Sequence, residues 1–237
     1  MPNGFIEIVV NIGWREVFPA RILSDLLAGM PVALGNDANV AALGEAWMGG
    51  AKHQQDSVMV TLGTGVGGGI IIDGKIVSGK HGLGGEIGHM HVRESETEKC
   101  NCGGKGCLEQ ISSATGIVRE AKRLLATKKV ASRLALLEDI TAKDVLDAAK
   151  AGDEIALEVV DTVSKYLGIA LSHLAMTVDP EVFVIGGGVS KAGDFLIDKI
   201  REKFEYYTPI TKNKADIVLA KLGNDAGIYG AAKLVLG

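Results

Sequence analysis

The chain has 237 residues, 47% of them hydrophobic and 23% charged, with 32 glycines and a net charge of −4. That balance describes an ordered globular chain long enough for two unequal lobes and excludes a disordered or low-complexity one. No run of Lys and Arg suits nucleic acid or an anionic membrane, and no apolar run approaches the ~20 residues that cross a bilayer.

The opening MPNGFIEIVV lacks the basic region and apolar core of a secretion signal, so a cytoplasmic protein with reduced cysteines is expected. Gly4 to Val10 is short, apolar and β-branched, as a strand would be. Trp14 to Leu27 reads as a loop leading into a helix, with Ile22, Leu23, Leu26 and Leu27 at helical spacing and Gly29 as its stop. Val32 to Leu34 reads as a buried strand, and Val40 to Met48 as an alanine-rich helix closed by Gly49-Gly50. Between them stand Asn36, Asp37 and Asn39. An Asp at a helix start is most simply a cap, worth roughly 1 kcal/mol. Ligands in α/β folds, however, collect at the carboxyl ends of strands, which makes Asp37 a candidate base.

Ser57 to Leu62 is a strand, Gly63-Thr64-Gly65-Val66-Gly67-Gly68-Gly69 a glycine loop, and Ile70 to Ile72 a second strand that turns at Asp73-Gly74 into Lys75 to Val77. Backbone amides of such a loop, with the Thr64 hydroxyl, suit a phosphate; a plain turn with a bulge would look the same. Further on, Cys100, Cys102 and Cys107 form C-x-C-x4-C among glycines, with His89 eleven positions before the first of them. Three thiolates and an imidazole make a tetrahedral zinc site. By spacing, either His89 or His91 can be the fourth ligand.

A helix is expected over Ser112 to Lys129, then a surface excursion to Glu138 and a capping box, Thr141 to Asp144, opening another helix. Asp153 to Thr177 carries the longest helical repeat, with His173 read as packed within it rather than as a ligand. Glu181 to Ile185 is a buried strand, and Gly186-Gly187-Gly188 then leads toward a helix over Phe195 to Phe204, a pattern suited equally to a nucleoside contact or to close packing. Ile217 to Ala220 is a last strand and Asp225 to Leu236 a closing helix with a thin, small-residue face.

Five segments, GNDANVAALGEAWMG (35–49), TLGTGVGGGI (61–70), GLGGEIGHMHV (82–92), CNCGGKGCLE (100–109) and FVIGGGVS (183–190), occur in the order found in the ROK sugar kinases and repressors, so the chain resembles that family and within it the bacterial glucokinase branch. The resemblance implies an α/β, actin-like ATPase (ribonuclease H-like) fold whose two lobes close over ATP with Mg²⁺ and a hexose, glucose by preference. It implies an ATP-dependent hexokinase-type phosphotransferase with Asp37 as the catalytic base and Asn36, Glu86, His89 and Glu109 on the sugar hydroxyls. It makes His89, with Cys100, Cys102 and Cys107, the ligand set of a structural Zn²⁺. Gly63, Thr64, Gly65, Val66, Gly67, Gly68 and Gly69 resemble the second phosphate motif, and Gly186, Gly187 and Gly188 the adenosine motif. A homo-oligomer is expected by the same analogy.

The family's first phosphate motif, Asp-x-Gly-Gly-Thr near the amino terminus, is absent. The expectation is therefore a truncated chain: residues 1–50 a remnant of an incomplete small lobe on which the closing helix 225–237 packs, and 51–224 the large lobe with the zinc loop 84–109. Whether such a chain phosphorylates sugar by itself stays open. The rival reading is a sugar-sensing repressor of the same family, or a sugar-binding fragment.

Overall fold

The computed structural model describes residues 6–9, by their backbone, and 13–236. What the sequence suggests for residues 4, 5 and 10, and for the ends of the 1–50 and 225–237 segments, lies outside these. Strands β1 (Ile6–Val9) and β2 (Trp14–Val17) form a separate antiparallel ribbon in which Ile8 faces Arg15 and Val9 faces Trp14. A loop was expected over β2; Trp-Arg-Glu-Val becomes a strand because β1 supplies a ladder. Helix α1 (Pro19–Leu26) starts on a proline, whose missing N–H costs nothing in a first turn, and Ile22, Leu23 and Leu26 stay exposed on it.

Val32 to Leu34 is not a strand. Val32 and Leu34 are half-buried, yet no described strand offers them a ladder, and without a neighbour on either side the segment makes no sheet. Helix α2 (Asp37–Met48) begins three residues earlier than the alanine pattern suggested, because Asn36 Oδ1 accepts from the amides of Ala38 at 3.0 Å and Asn39 at 3.2 Å.

The main sheet has the order β5-β4-β3-β6-β7. Its central strand β3 (Ser57–Leu62) pairs antiparallel with β4 (Val66–Ile72) and parallel with β6 (Val182–Gly186). Strand β5 (Lys75–Ile76) extends the antiparallel side and β7 (Asp216–Leu219) the parallel side. The strand alternation sorts the core into two layers. Val58, Val60, Leu62, Phe183 and Ile185 face α4 (Ala114–Thr127), α5 (Ala142–Lys150), α6 (Glu154–Val178) and α7 (Asp194–Tyr207). Met59, Ile71, Val182 and Val184 face α2 through Ala42 and Leu43. The expected starts of α5 and α6 hold, on the Thr141/Asp144 capping box and on Asp153. His173, expected to be packed, is exposed on α6, because the buried stripe there runs through Leu167, Ala170, Leu171 and Leu174.

Helix α8 (Ala226–Leu236) closes the second layer by lying on α2 with almost nothing between them. A Cβ on Gly44 would overlap the carbonyl of Ala226, and one on Gly230 the carbonyl of Val40. Below this crossing Glu45, 0% exposed, takes up the amides of Gly50 (2.6 Å), Lys221 (3.1 Å) and Leu222 (2.8 Å). A buried carboxylate is tolerable only with such donors. It joins α2 to the two segments that run past its carboxyl end.

Candidate active site

The site begins at the β3–β4 hairpin. Leu62 pairs with Val66, Thr61 with Gly67, Val60 with Gly68 and Met59 with Gly69, so Gly67 to Gly69 lie in β4 rather than in the expected loop, and the turn itself is Gly63-Thr64-Gly65. Close approach explains those strand glycines. A Cβ on Gly69 would come within 2.5 Å of Ala42 Cβ, and one on Gly67 within 2.7 Å of Thr61 Oγ1 and 3.1 Å of Ala38 Cβ. A Cβ on Gly68 would overlap Ile87 and meet the Gly85 carbonyl at 2.8 Å. The first turn of α2 and the 85–87 segment thus sit directly on the strand. Gly68 and Gly69 are buried; Thr64 is exposed.

Asp37 is exposed in that first turn, its Oδ1 accepting from the Ala38 amide at 2.8 Å. Asn39, two residues on in the same turn, is buried; its Nδ2 reaches the Gly84 carbonyl at 3.5 Å and so links α2 to the segment carrying Glu86 and His89. Those two lie about a short 3₁₀ turn (Ile87–His89), with His89 Nε2 3.9 Å from Glu86 Oε2. Glu109 opens the one-turn helix α3 (Glu109–Ser112), and its Oε2 accepts from the Val66 amide at 3.1 Å. Gly67 and Gly69 thus meet the helix that starts at Asn36 and Asp37, Gly68 on the opposite face of β4 meets the segment of Glu86 and His89, and the Val66 amide holds Glu109.

The cysteines gather behind Glu109. One ligand atom from each of His89, Cys100, Cys102 and Cys107 lies within 4.8 Å of the others. His89 Nδ1 is 3.8 Å from Cys100 Sγ and Cys102 Sγ 3.6 Å from Cys107 Sγ, close to the roughly 3.8 Å edge of a tetrahedron with zinc–sulfur bonds of about 2.3 Å. His91 is not part of the group. Its Nδ1 is 2.7 Å from the Lys105 carbonyl and its Nε2 3.0 Å from Glu94, contacts that hold its pKa above the ordinary value. Burial pushes the Cys107 thiol up to about 12, helped by the Cys102 and Cys100 thiols, and burial raises Cys100 too. The Gly104 amide lowers the pKa of the exposed Cys102. Buried thiols that resist ionising in the bare protein are ionised outright by a bound cation, so this donor set can hold a metal ion.

The hairpin turn also borders a cavity of about 530 Å³ lined by Gly63, Thr64, Ala114, Lys143, Lys150 and Gly188, among others. The two sequence candidates for nucleotide contact, at Gly63-Thr64 and at Gly188, meet here. Gly187 and Gly188 are exposed beyond β6, while Gly186 is its buried last residue, under Met59 and Ala220. Lys143, Lys150 and Lys191 were not foreseen as lining residues. The capping box marks a helix start, but nothing local says what the helix end faces. Also unforeseen is the bracing of the turn by α4: the Ala114 amide donates to the Gly63 carbonyl at 2.8 Å and Thr115 Oγ1 to that of Thr64 at 2.7 Å.

An ion cluster holds the metal loop to α4. Arg93 donates to Glu120 at 2.7 Å, and Arg119 and Arg123 reach Glu96 at 2.7 and 3.3 Å. Burial alone would raise the Glu96 carboxyl; the Glu98 amide and the guanidiniums of Arg119 and Arg123 outweigh it and hold the pKa below the ordinary value. Among the described residues no helix is long and apolar enough to cross a membrane.

A family model described as "ROK family" matches residues 3–237. A glucokinase of Halalkalibacterium halodurans is 48% identical over 240 residues, covering 99% of this chain and 72% of that protein. A crystal structure of a ROK family glucokinase from Streptomyces griseus in complex with glucose and AMPPNP superposes with a TM-score of 0.82 at 36% identity, over 99% of this chain and 78% of that one. A xylose repressor of Caldicellulosiruptor bescii is 30% identical over 99% of this chain and 59% of its own length. The α/β architecture is that of these solved sugar kinases, the actin-like ATPase fold expected from the sequence.

Proposed function

The chain belongs to the ROK family, and we propose that within it the chain is a glucokinase, transferring the γ-phosphoryl group of ATP to the 6-hydroxyl of glucose. The observation that carries this reading is the β3–β4 hairpin, whose turn lines the 530 Å³ cavity at Gly63 and Thr64 while the amide of Val66 just beyond it holds Glu109. A hydroxyl acceptor on one side and a nucleotide on the other would meet across Gly63-Thr64-Gly65. A glucokinase at 48% identity favours the kinase over the repressor, whose named relative stands at 30%.

Asp37 Oδ1 is engaged by the Ala38 amide, which leaves Oδ2 for the proton of the sugar's 6-hydroxyl. Asn36 Oδ1 is spent on the helix cap, so its Nδ2 is the donor to a neighbouring hydroxyl. Glu86, His89 Nε2 and Glu109 take the remaining hydroxyls. As the new bond forms between the sugar oxygen and phosphorus, the bond to the ADP oxygen breaks and the proton passes to Asp37. The transition state is loose, so positioning and charge stabilisation do most of the work, and the base is worth roughly 10²–10⁴-fold. Amides of Gly63, Thr64 and Gly65 would cradle the phosphates, Gly187 and Gly188 would border the nucleoside, and Mg²⁺ would be carried chiefly by the ATP phosphates. Gly67 to Gly69, paired in β4, would serve by letting α2 and the sugar segment approach.

We assign Zn²⁺ to the site of three cysteines and His89. Bound there it would have a structural role, fixing the loop that presents Glu86 and Glu109. A cytoplasmic location and an assembly of identical chains belong to the same reading. The test is glucose 6-phosphate formation by the zinc-loaded chain with Mg-ATP, and its fall by roughly 10²–10⁴-fold in Asp37→Asn with glucose binding retained. Absence of transfer to glucose at saturating Mg-ATP, or full activity in Asp37→Asn, would overturn the reading. Sugar-dependent DNA binding by a longer form would favour the repressor.

A further inference from the structure

Gln110 stands outside the residues expected to bind sugar, nucleotide or metal. It is 9% exposed and sits beside Glu109, at the foot of the metal loop. Its side chain bridges the two sides of that loop: Oε1 accepts from the Cys107 amide at 3.2 Å while Nε2 donates to the Glu98 carbonyl at 3.1 Å. Both bonds fall on residues that flank the segment 99–106, which contains Cys100 and Cys102. Its backbone carbonyl accepts from Arg119 Nη2 at 2.7 Å. That same nitrogen donates to Glu96 at 2.7 Å, and Nη1 reaches Glu98 at 3.1 Å. Glu96 in turn, its side chain 0% exposed, accepts from the amides of Thr97 at 3.1 Å and Glu98 at 3.2 Å.

We propose that Gln110 is a positioning residue: a clasp that closes the metal loop and couples metal occupancy to the placement of the sugar carboxylate Glu109. The chemistry of the amide is what the place requires. One end of the loop presents an N–H and the other a C=O, and of side chains this size only a primary amide accepts from the first while donating to the second. Closing the loop by these bonds removes freedom that the three thiolates would otherwise have to restrict on metal binding, so the clasp slows metal loss. Helix α3 is a single turn, too short to hold itself by its own bonds. The Arg119 bond to the Gln110 carbonyl therefore fixes the direction in which Glu109 leaves the loop. The sugar half of this inference rests on the glucokinase reading above; the metal half does not.

The experiment uses the full chain loaded with zinc, and two substitutions. Gln110→Glu keeps the shape and the acceptor for the Cys107 amide but loses the donor to Glu98; Arg119→Lys leaves the clasp in place and loosens its anchor. The first readout is the rate of zinc transfer to a chromogenic chelator, which needs neither sugar nor ATP. The second is the glucose dissociation constant, and the third the KM for ATP. Gln110→Glu is expected to speed zinc transfer by roughly 10–100-fold, the range for outer-shell partners of a metal site. It is expected to weaken glucose binding about fivefold, the size of one net hydrogen bond, and to leave the KM for ATP unchanged. Arg119→Lys should show the same pattern more weakly, and carries the test if Gln110→Glu does not fold. Zinc transfer and glucose affinity both within twofold of the parent chain would overturn the proposal. So would weaker glucose binding at an unchanged zinc rate, which would make Gln110 a sugar contact, and so would equal shifts for glucose and ATP, which would mean general loosening. A parent chain that holds no zinc overturns it as well. A parent chain that holds zinc but binds no glucose strikes the glucokinase reading and leaves the clasp to be judged by the zinc rate alone.

Discussion

The first turn of α2 and the loop over residues 84–109 pack against the same strand β4 and are held there by different means. Asp37 is placed by missing atoms: with no Cβ at Gly67 or Gly69, Ala38 and Ala42 settle onto the strand, and the helix arrives at a depth that sterics set. Glu86, His89 and Glu109 are placed by polar bonds instead, through the cysteine and histidine group, the Gln110 clasp and the Arg–Glu cluster on α4. The first half is insensitive to solution conditions and intolerant of added volume. The second is closely packed as well, at Gly84 and Gly88, and in addition answers to metal, pH and reductant.

Removing the metal should separate the halves most. A chelator, or Cys102→Ser, is expected to abolish measurable glucose binding and to speed amide exchange across 84–109, while α2 and β4 keep their protection. Equal loss of protection in α2 would erase the distinction. Gly69→Ala attacks the packed half: overlap with Ala42 and the Ala38 carbonyl should cost about 1–3 kcal/mol, read as a lower midpoint in urea, with zinc content unchanged. Acid comes next. Because the folded Glu96 carboxyl lies below its ordinary pKa, the stability it lends is present above about pH 4.5 and is lost as pH falls through the folded value. Protection factors over 93–120, taken relative to the intrinsic exchange rate at each pH, should therefore fall as pH drops below about 4.5, and Glu96→Gln should flatten that response. Smallest is Asn36→Ala, which removes the cap of α2 for about 1 kcal/mol and leaves the metal loop untouched; a shift in zinc retention would show that the halves are coupled after all.

Much of the second half could be read from the chain because its chemistry restricts residue type. Three cysteines among glycines with a histidine upstream have few other uses, and the choice between His89 and His91 needed only to know which ring was already engaged by Lys105 and Glu94. The first half was harder. Gly67 to Gly69 have loop propensity, and they form strand because of what lies above them, which is information held in α2 and in residues 85–87. Val32 to Leu34 has strand propensity and no ladder, and β2 gains a ladder from β1 that no pattern within Trp14 to Val17 announces. The cavity beside the turn joins residues near 63, 143 and 188, and no pattern within any one of those stretches foretells the others.

The contact of α2 with α8 has a mechanical consequence. Helices that meet through long side chains can slide, because the side chains change rotamer one at a time. At Gly44 against Ala226 and Gly230 against Val40 there is backbone on both sides and nothing to yield. The pair can only be docked or apart, so α2 and α8 should travel as one rigid lever, with Glu45 at its pivot gripping Gly50, Lys221 and Leu222. Asp37 rides at the far end of that lever, and a bend of a few degrees at the pivot would carry it toward or away from the turn without any change in the helix that bears it.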